Sequence, residues 1–320
     1  MTHHPQKIIY IRQALPGGTD NYCRALQQMF ADNHLCQAMP IEDYPIIKSR
    51  FFHYYYKPAP LKQAIRKADI VHINGYTAFG TIQALRYARK YNKKVIYSPH
   101  FHPFQYLRHP KLGKQFFQIL KPFIRRCADK VLTINNEDTQ FFRQFHPNVV
   151  QIPHWHKPTK EDNTQPKQPG MILFVGRIDD PVKGIEHLYQ IPQGKYQVHC
   201  VGKGTLQRKD FIQHTNISQH QLQQLYQQAA LTVIPSKYEA FSYVALESLL
   251  ANTPVLMSQS VRIADYLKQV RGITIFQYHD YTQFINKIQE TIGTQVDTDK
   301  VKQIFNPQTI KQIYIDVYNN

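Results

Sequence analysis

The sequence predicts an α/β protein made of two similar domains, each built on a parallel sheet. Three observations support this prediction. Short apolar runs alternate with amphipathic segments at helical spacing, as in repeated strand–helix–strand units. The chain has 320 residues, which is long for one domain and suitable for two. A polar segment at His156–Gly170 separates the halves and is typical of an interdomain linker.

Apolar runs predict five strands in the first half, and the segments between them predict three helices. The strands are Lys7–Gln13, Asp69–Asn74, Lys94–Ser98, Lys130–Asn135 and Val149–Pro153. The helices are Thr19–Asn33, Ala78–Tyr91 and Asn136–Phe145. Thr19 or Asp20 can cap the first helix, and Asn135 or Asn136 the last, because a side-chain oxygen there accepts a free N–H of the first turn.

The second half repeats this alternation with five strands and four helices. The predicted strands are Met171–Arg177, Tyr196–Val201, Leu231–Pro235, Pro254–Met257 and Ile273–Phe276. The predicted helices are Ile185–Ile191, Ser218–Ala229, Phe241–Ala251 and Tyr281–Ile292. We therefore expect a first domain at residues 1–158 and a second at 165–304. A last helical pattern covers Ile304–Asn320.

Composition and cysteine usage bear on the compartment. The chain is 42% hydrophobic, yet no run of eighteen apolar residues exists, which argues against a transmembrane helix. The start, Met1–Lys7, lacks the apolar core of a signal peptide. The four cysteines are scattered and form no C-x-x-C pair, as expected for reduced thiols. We expect a cytoplasmic protein and leave open a peripheral contact with the inner face of the cell membrane.

Positive charge is concentrated in the first half of the chain. The net charge is +17. Residues 1–160 contain 24 basic and 8 acidic residues, whereas residues 161–320 contain 15 and 14. Such asymmetry favours an external anion, namely membrane headgroups, a polyanionic acceptor or nucleic acid, although net charge can also serve solubility alone. No recognised nucleic-acid-binding motif holds these residues, so we expect no nucleic-acid partner.

Two segments combine the basic residues with aromatic and apolar ones. They are Lys48–Lys57, followed by Leu61–Lys67, and Lys111–Arg126. Aromatic side chains beside Lys and Arg suit the headgroup boundary of an anionic bilayer. In the alternative interpretation, the apolar side chains pack on the domain and the basic groups are solvated. The sequence leaves both open.

The most informative motif lies in residues 237–255, where a strand is followed by a loop and a helix. Glu239 lies in the loop and Glu247 about two turns into the helix, with seven residues between them. Upstream, Arg177 and Lys183 follow another strand, at the edge where ligands of open α/β sheets dock. Arg offers a planar fork for phosphate oxygens and Lys a flexible point charge.

Near the start, Gly17 and Gly18 precede the first helix. Glycines let the backbone approach a phosphate, and the helix N-terminus adds its positive end. Each of these features also has a plainer interpretation: a tight turn for the glycines, a surface pair for the cations, and a helix-start glutamate beside a surface one.

Taken together and in this order, these motifs resemble those of retaining glycosyltransferases of family 4, which have the GT-B fold. That fold consists of two Rossmann-like domains whose parallel sheets face each other across a cleft. The resemblance implies that the first domain binds the acceptor and the second binds the nucleotide sugar. It also implies that the last helix, about residues 305–320, packs back on the first domain.

The resemblance also assigns roles to single residues. Gly17, Gly18, Arg177 and Lys183 would hold the donor diphosphate, and Glu247 the ribose hydroxyls. Glu239 would contact the donor sugar, while His100, in the segment 97–103, resembles the family histidine near the sugar and acceptor. The N–H groups of three residues after Glu239 would meet the donor; these are Ala240, Phe241 and Ser242.

The chain departs from the family pattern where glycines usually follow the first glutamate, because Ala240 and Ser242 stand there. Larger side chains narrow a pocket and restrict positive φ. A second departure is Pro153-His154-Trp155-His156 in place of Pro-Asn-Gly-Val. The pairs His100/His102 and His154/His156 have the spacing of metal ligands on a strand, but no Cys or carboxylate is patterned with them. We expect no metal and no cofactor, since the family uses basic side chains at the diphosphate.

The predicted function is a metal-independent, retaining hexosyl transfer from a nucleotide-diphosphate sugar, with UDP favoured as the nucleotide. The expected acceptor is a lipid-linked or anionic glycan of the cell envelope. Whether transfer passes through a covalent intermediate or by attack on the same face stays open. The alternatives are a non-catalytic GT-B accessory subunit, motivated by the altered 239–242 loop, a GT-B epimerase or phosphorylase, and, from charge alone, a nucleic-acid binder.

Overall fold

The computed structural model describes residues 5–12, 18–39, 46–48, 54–75, 79–100, 104, 110–156 and 165–320. The chain divides into two compact units. The first domain comprises Met1–Pro153 together with Gln308–Asn320, and the second comprises His154–Pro307. Gly17 and His102, singled out above, lie outside the described residues.

The first domain is built on a parallel sheet. Among the described residues it has six strands in the order β2-β1-β5-β6-β7-β8. Their bounds are β1 Gln6–Ile11, β2 Cys36–Ala38, β5 Ile70–Asn74, β6 Lys94–Ser98, β7 Lys130–Thr133 and β8 Val149–Gln151. A separate antiparallel pair is formed by β3 Ile46–Lys48 and β4 Tyr54–Tyr56. The helices are α1 Gly18–Phe30, α2 Pro58–Lys67, α3 Phe79–Lys90, α4 Pro110–Cys127, α5 Asn136–Arg143 and, from the far end of the chain, α10 Pro307–Asn319.

The second domain repeats the plan. In the described residues its sheet has the order β11-β10-β9-β12-β13-β14, all parallel. The strands are β9 Met171–Val175, β10 Gln197–Val201, β11 Ile212–His214, β12 Leu231–Ile234, β13 Val255–Ser258 and β14 Ile273–Phe276. The helices are α6 Gln219–Gln228, α7 Tyr243–Leu250, α8 Tyr281–Thr291 and α9 Thr298–Ile304, with 3₁₀ turns at Ile185–Gln190 and Arg262–Tyr266. Central strands such as β5 and β12 are buried along their whole length, because helices cover both faces of a parallel sheet.

The predicted α/β class with two parallel sheets is confirmed, and the differences are local. Strands β2, β3, β4 and β11 have three residues each, too short to leave an apolar run in the sequence. The segment 185–190 is 3₁₀ rather than α-helical, and α7 begins at Tyr243 rather than Phe241. The pattern over residues 304–320 is interrupted at Pro307, which cannot donate a helical hydrogen bond and instead opens α10.

Helix α10 belongs to the first domain by its contacts. Tyr314 and Tyr318 are buried there, and the Tyr314 hydroxyl lies 2.6 Å from that of Tyr22 on α1. The Tyr318 hydroxyl lies 2.8 Å from Nδ1 of His72, a buried residue of β5. The last helix therefore completes the core of a domain whose other elements precede residue 153. Among the described residues, no helix combines the length and the apolar character needed to cross a bilayer.

Candidate functional site

Four loops meet at the carboxyl edge of the second-domain sheet. They follow the neighbouring strands β9, β10, β12 and β13 and contain, in turn, residues 176–184, 202–204, 235–242 and 259–262. Because all strands are parallel, every one of these loops leaves the sheet at the same edge, where open α/β sheets bind ligands. We name them the 176, 202, 235 and 259 loops after their first residues.

The 176 and 235 loops are joined by backbone contacts that leave no room for a side chain. Gly184 has a φ of 67°, and a Cβ built there would lie 1.8 Å from the carbonyl oxygen of Pro235. The Lys237 N–H donates to the carbonyl of Val182 at 2.8 Å. Glycine at position 184 is thus required both by its left-handed backbone and by the approach of the 235 loop. This contact fixes the backbone that carries Lys183.

The 202 loop packs equally closely on the 176 loop. A Cβ at Gly202 would lie 1.9 Å from the carbonyl oxygen of Gly176, and one at Gly204 would lie 2.7 Å from the nitrogen of Asp179. The carbonyl of Lys203 accepts the N–H of Ile178 at 2.8 Å. The segment Gly202–Gly204 was not among the predicted site residues, although a G-x-G directly after a strand is a signal that could have found it.

Lys183 and Glu239 form an ion pair that joins the 176 and 235 loops. The Lys183 Nζ lies 2.8 Å from Oε1 of Glu239, and the side chains are 27% and 10% exposed. The same oxygen accepts the hydroxyl of Ser236 at 2.8 Å. Ser236, which was not predicted from the sequence, is therefore a partner of this carboxylate. The ion pair and the hydrogen bond from Ser236 stabilise the half-buried charges of Lys183 and Glu239 at this sheet edge.

The loop after Glu239 is held by the 259 loop and not by α7. The Glu239 N–H donates to the carbonyl of Ser260, and the Glu239 carbonyl accepts the N–H of Arg262. Ser242 is the N-cap of α7, and its hydroxyl accepts the N–H of Ala245 at 3.3 Å. Ala240 and Phe241 thus precede the helix, whose first turn supplies N–H groups from Tyr243 onward.

This geometry explains one departure from the family pattern. Ser242 has a φ of −127°, and Ala240 is not among the residues of positive φ in the described chain. Neither position requires glycine, and Ser242 has a capping function that glycine performs less well.

Glu247 lies about one turn into α7 and is half-buried, whereas the sequence predicted a position about two turns into the helix. Burial first, and then the charges of Glu247 and Glu239, raise the pKa of Tyr226 well above its usual value. Both glutamates therefore affect the pKa of the same buried phenol, that of Tyr226 on α6. Glu239 and Glu247 thus lie in one region of the second domain.

Arg177 is placed differently from Lys183. Its side chain is 77% exposed and forms an ion pair with Asp180, three residues away in the same loop. Asp180 also accepts the N–H of Val182 at 3.0 Å, which shapes the turn that leads to Lys183. The exposed guanidinium of Arg177 can exchange this carboxylate for a phosphate, and Asp180 then still accepts the N–H of Val182.

In the first domain, His100 follows β6 and has a φ of 46°, which is unusual for a residue other than glycine. Its Nε2 lies 3.0 Å from Oδ1 of Asn74, at the end of β5. Asn74 directs its amide nitrogen to the carbonyls of His72 and Ile11, so Oδ1 is the atom that faces the ring. The ring also packs edge-on against Tyr22, with centroids 4.7 Å apart.

Arg12, another residue that was not predicted from the sequence, lies at the end of β1. It is 6% exposed and forms an ion pair with Asp20 in the first turn of α1, beside Gly18. Arg24 of the same helix also binds Asp20, at 3.0 Å. The sequence offered one indication of Arg12, since Arg12 and Asp20 lie on either side of the glycine pair.

The described residues contain no group of three or more His, Cys, Asp or Glu side chains that could hold a metal ion. His154 instead stacks on Tyr243, with ring centroids 5.1 Å apart, and packs edge-on against Phe241. The N–H of His156 donates to the carbonyl of Phe305.

Comparison with known proteins identifies the family to which the chain belongs. A family model described as Glycosyltransferase Family 4 matches residues 19–157, and one described as Glycosyl transferases group 1 matches residues 169–293. An uncharacterized glycosyltransferase of Methanocaldococcus jannaschii is 32% identical over 124 residues, which cover 33% of this chain and 32% of that protein. The match thus spans about a third of the length of this relative.

Solved structures agree in fold. Sucrose-phosphate synthase from Thermosynechococcus elongatus superposes with a TM-score of 0.70 at 19% identity, covering 98% of both chains. HepE of Anabaena, solved in complex with UDP and glucose, has a TM-score of 0.71 at 13% identity and covers 99% of this chain and 100% of its own. Since the two family models match consecutive parts of the chain and the fold is GT-B, this chain belongs to glycosyltransferase family 4, the glycosyl transferases of group 1.

Proposed function

We propose that this protein is a retaining glycosyltransferase that moves a hexose from a UDP-sugar to a hydroxyl group of a cell-envelope glycoconjugate. The observation that carries the proposal is the contact of Lys183 with Glu239 at the carboxyl edge of the second-domain sheet. A cation and a carboxylate side by side at that edge suit the two parts of a nucleotide sugar: the cation binds phosphate, and the carboxylate accepts sugar hydroxyls.

The proposed chemistry follows from where charge develops. When the glycosidic bond breaks, negative charge grows on the departing diphosphate, and fixed cations there lower the barrier. Lys183 and Arg177 supply those cations, with the backbone at Gly17 and Gly18 as further donors. Two basic side chains in this position replace the divalent ion that other transferases use, so the reaction is proposed to be independent of metal.

The carboxylates and the first-domain histidine complete the proposed machinery. Glu239 binds the donor sugar, Glu247 the ribose, and the N–H groups at Ala240, Phe241 and Ser242 approach the donor. His100 is proposed to hydrogen-bond the sugar or orient the acceptor. Because its Nε2–H donates to Oδ1 of Asn74, Nδ1 is the ring nitrogen that can accept a hydrogen bond.

The choice of UDP and of the acceptor class is supported less directly. HepE of Anabaena, which shares this fold, was solved with UDP and glucose and also with UDP-glucose. The acceptor proposal, a lipid-linked or anionic glycan, is supported by the basic excess of residues 1–160. An anionic partner would be drawn to that half of the chain by its charge.

A donor screen tests the function. We would measure the melting temperature with UDP, GDP and ADP and their common sugars, then binding by calorimetry and sugar release by mass spectrometry. A ligand that binds only the native state raises the melting temperature with its affinity, so we expect UDP-sugars to rank first. Lys183→Met and Glu239→Gln should each lower binding or turnover at least tenfold. Lys209→Met and Glu290→Gln, exposed sites of the same residue types, should not. Absence of both nucleotide binding and sugar release would refute the proposal.

A second candidate is a non-catalytic accessory subunit, favoured by Ala240 and Ser242 at positions where the family usually has glycine. It predicts that Glu239→Ala leaves the biological activity of the complex intact and that the purified chain releases no sugar. Loss of that activity in Glu239→Ala, with the fold preserved by circular dichroism, would exclude this candidate.

A further inference from the structure

Three successive helices of the first domain carry basic residues and no acidic ones. Helix α2 contains three Lys and Arg residues, α3 contains three and α4 contains five, and none of the three helices has an Asp or Glu. The eleven residues are Lys62, Arg66, Lys67, Arg86, Arg89, Lys90, Lys111, Lys114, Lys121, Arg125 and Arg126. Within the described part of the chain, none of them forms an ion pair.

These helices lie side by side. Lys62 of α2 lies 5.0 Å from the ring centroid of Tyr87 on α3, and Arg66 lies 4.7 Å from that of Tyr91. Phe79 of α3 packs edge-on against Phe116 of α4, with ring centroids 5.2 Å apart. We call the exposed surface of α2, α3 and α4 the basic helix face. Its positive charge is continuous across three elements.

Within the described residues, the two carboxylates at the ends of these helices form no ion pair with the eleven basic residues. Asp69 and Asp129, just after α2 and α4, accept the backbone N–H groups of Lys7 and Val95 at 2.8 and 2.7 Å. By contrast, α1 and α10, which contact each other through Tyr22 and Tyr314, carry both signs of charge. Helix α1 connects β1 to β2, whereas α3 and α4 connect β5 to β6 and β6 to β7, so the chain moves along the sheet in opposite directions in the two cases. Because such crossovers between parallel strands are right-handed, α1 lies on the other face of the sheet from α3 and α4. Helix α5, which packs on α4 on the same side, adds Glu137, Asp138 and Arg143. That side of the domain is therefore still strongly basic, and the other is nearly balanced.

Large apolar side chains project from the same basic face. On α4, Leu112 is 52% exposed and Ile119 is 48% exposed. Seven residues apart, they lie two turns from each other on one side of the helix, along the edge of the stripe that Phe116, Phe117 and Leu120 bury. Beside α3, the β3–β4 hairpin exposes Ile47 and Tyr55, and the Tyr55 ring stacks on Phe79 at 5.2 Å.

We infer that the basic helix face is a docking surface for an anionic lipid bilayer. The cations bind headgroup phosphates, and Leu112, Ile119 and the hairpin residues insert at the boundary of the acyl chains. A soluble polyanion would satisfy the positive charge but would leave these apolar side chains in water. The pairing of both kinds of side chain on one face therefore favours lipid over a polymer. This inference goes beyond the proposed function, because docking needs no nucleotide.

The experiment is co-sedimentation of the full chain with large vesicles. Vesicles of phosphatidylcholine alone are compared with vesicles that also contain phosphatidylglycerol. We expect binding to the mixed vesicles and at least tenfold weaker binding to the neutral ones. The triple variant K114E/K121E/R125E should bind mixed vesicles about 100-fold more weakly, since each basic residue near an anionic surface contributes several-fold.

Two further variants make the result specific. The matched control, K195E/K209E/K268E, places the same charge change on exposed lysines of the second domain and should retain binding. L112S/I119S leaves the charge unchanged and should weaken vesicle binding about tenfold, without changing the affinity for soluble polyphosphate. Circular dichroism and the melting temperature of each variant confirm that the fold is preserved.

Three outcomes would overturn the inference. Equal binding to neutral and anionic vesicles would remove the role of the cations. If L112S/I119S binds mixed vesicles as tightly as the wild type and the protein also binds polyphosphate tightly, the basic helix face would be assigned to a soluble polyanion. Tight, salt-sensitive binding to duplex DNA without vesicle binding would assign it to nucleic acid. Because the assay contains no nucleotide, failure here leaves the proposed donor chemistry unaffected, and the donor screen can fail without affecting vesicle binding.

Discussion

The Nζ of Lys183 and the Oε1 of Glu239 lie 2.8 Å apart, and a hydroxyl from Ser236 shares the same carboxylate oxygen. Lys183 follows β9 and Glu239 follows the adjacent strand β12. The pair therefore ties two loops of the candidate donor site together. A phosphate that binds Lys183 must compete with Glu239, and in doing so it frees the carboxylate to accept sugar hydroxyls.

The first prediction separates the structural and binding roles of this pair. Lys183→Met should lower the free energy of unfolding by about 2 kcal/mol, because Glu239 then keeps a half-buried charge without its cation. In the double variant Lys183→Met/Glu239→Gln, most of that stability should return, whereas donor binding should stay at least tenfold weaker. Urea denaturation and calorimetry measure the two effects. A double variant that recovers donor affinity would contradict the proposed role of the cation.

The second prediction concerns the close contact of Gly184 with Pro235. Gly184→Ala should destabilise the protein by about 3 kcal/mol or more, since it combines left-handed strain with a clash against a backbone carbonyl. Gly194→Ala is the matched control. Gly194 has a φ of 75° but nothing within 4 Å of its added Cβ, so it should cost only about 1 kcal/mol. Similar losses of stability in both variants would mean that the loops separate easily.

The third prediction concerns the orientation of His100. Asn74→Leu removes the oxygen that accepts the Nε2–H, so both tautomers of His100 should become populated. Nitrogen NMR of labelled histidine should detect this change in the purified protein, without substrate. If His100 has its proposed role, turnover should fall about tenfold or more with little change in donor affinity. A single unchanged tautomer in Asn74→Leu would show that other contacts hold the ring.

The fourth prediction concerns pH and a buried histidine. His72 lies between Tyr318 and Ser98, and burial, with the nearby His100, lowers its pKa to about 3. The unfolded chain, with an ordinary histidine pKa near 6.5, binds this proton more readily than the native state. Stability is therefore complete above about pH 6.5 and is lost as the pH falls towards 3, by about 2 kcal/mol at pH 5.

His72→Gln tests this origin. The variant is expected to be less stable at pH 7, because a buried hydrogen-bond partner changes, but its stability should depend less on pH between 7 and 5. The matched substitution His34→Gln, at an exposed site, should leave the pH dependence of the wild type unchanged. Urea denaturation at the two pH values supplies the comparison. An equal slope in His72→Gln would assign the acid sensitivity to other groups.

The sequence predicted most of the sheets because parallel strands are buried on both faces and appear as apolar runs. The central strands β5, β6 and β9 were predicted within one or two residues at each end. The three-residue strands β2, β3, β4 and β11 produced no such signal, whereas β8, of the same length, was predicted. The hairpin of β3 and β4 and the helix α2 also escaped prediction, since residues 46–67 hold aromatic and basic residues without one clear period.

The site was predicted by residue type but not by its partners. Lys183, Glu239, Glu247 and Arg177 could be chosen from motifs and strand ends. Their pairing could not: Lys183 binds Glu239, 56 positions away, and Arg177 turns to Asp180. Ser236 was missed because a single serine carries no pattern, and Arg12 was missed although it lies beside the glycine pair. The importance of both residues comes from burial beside a charge, which the sequence does not show.

Helix α10 has a consequence for biosynthesis. The first domain is assembled from residues up to 153 and from 308 onward, so its core around Tyr22 and His72 lacks two tyrosines until the whole second domain has been made. The ribosome synthesises the chain from the N-terminus, and domains ordinarily fold in that order. Here the domain that is translated first is the one that is finished last, and the nascent first domain must wait, with an open apolar surface, for the arrival of α10.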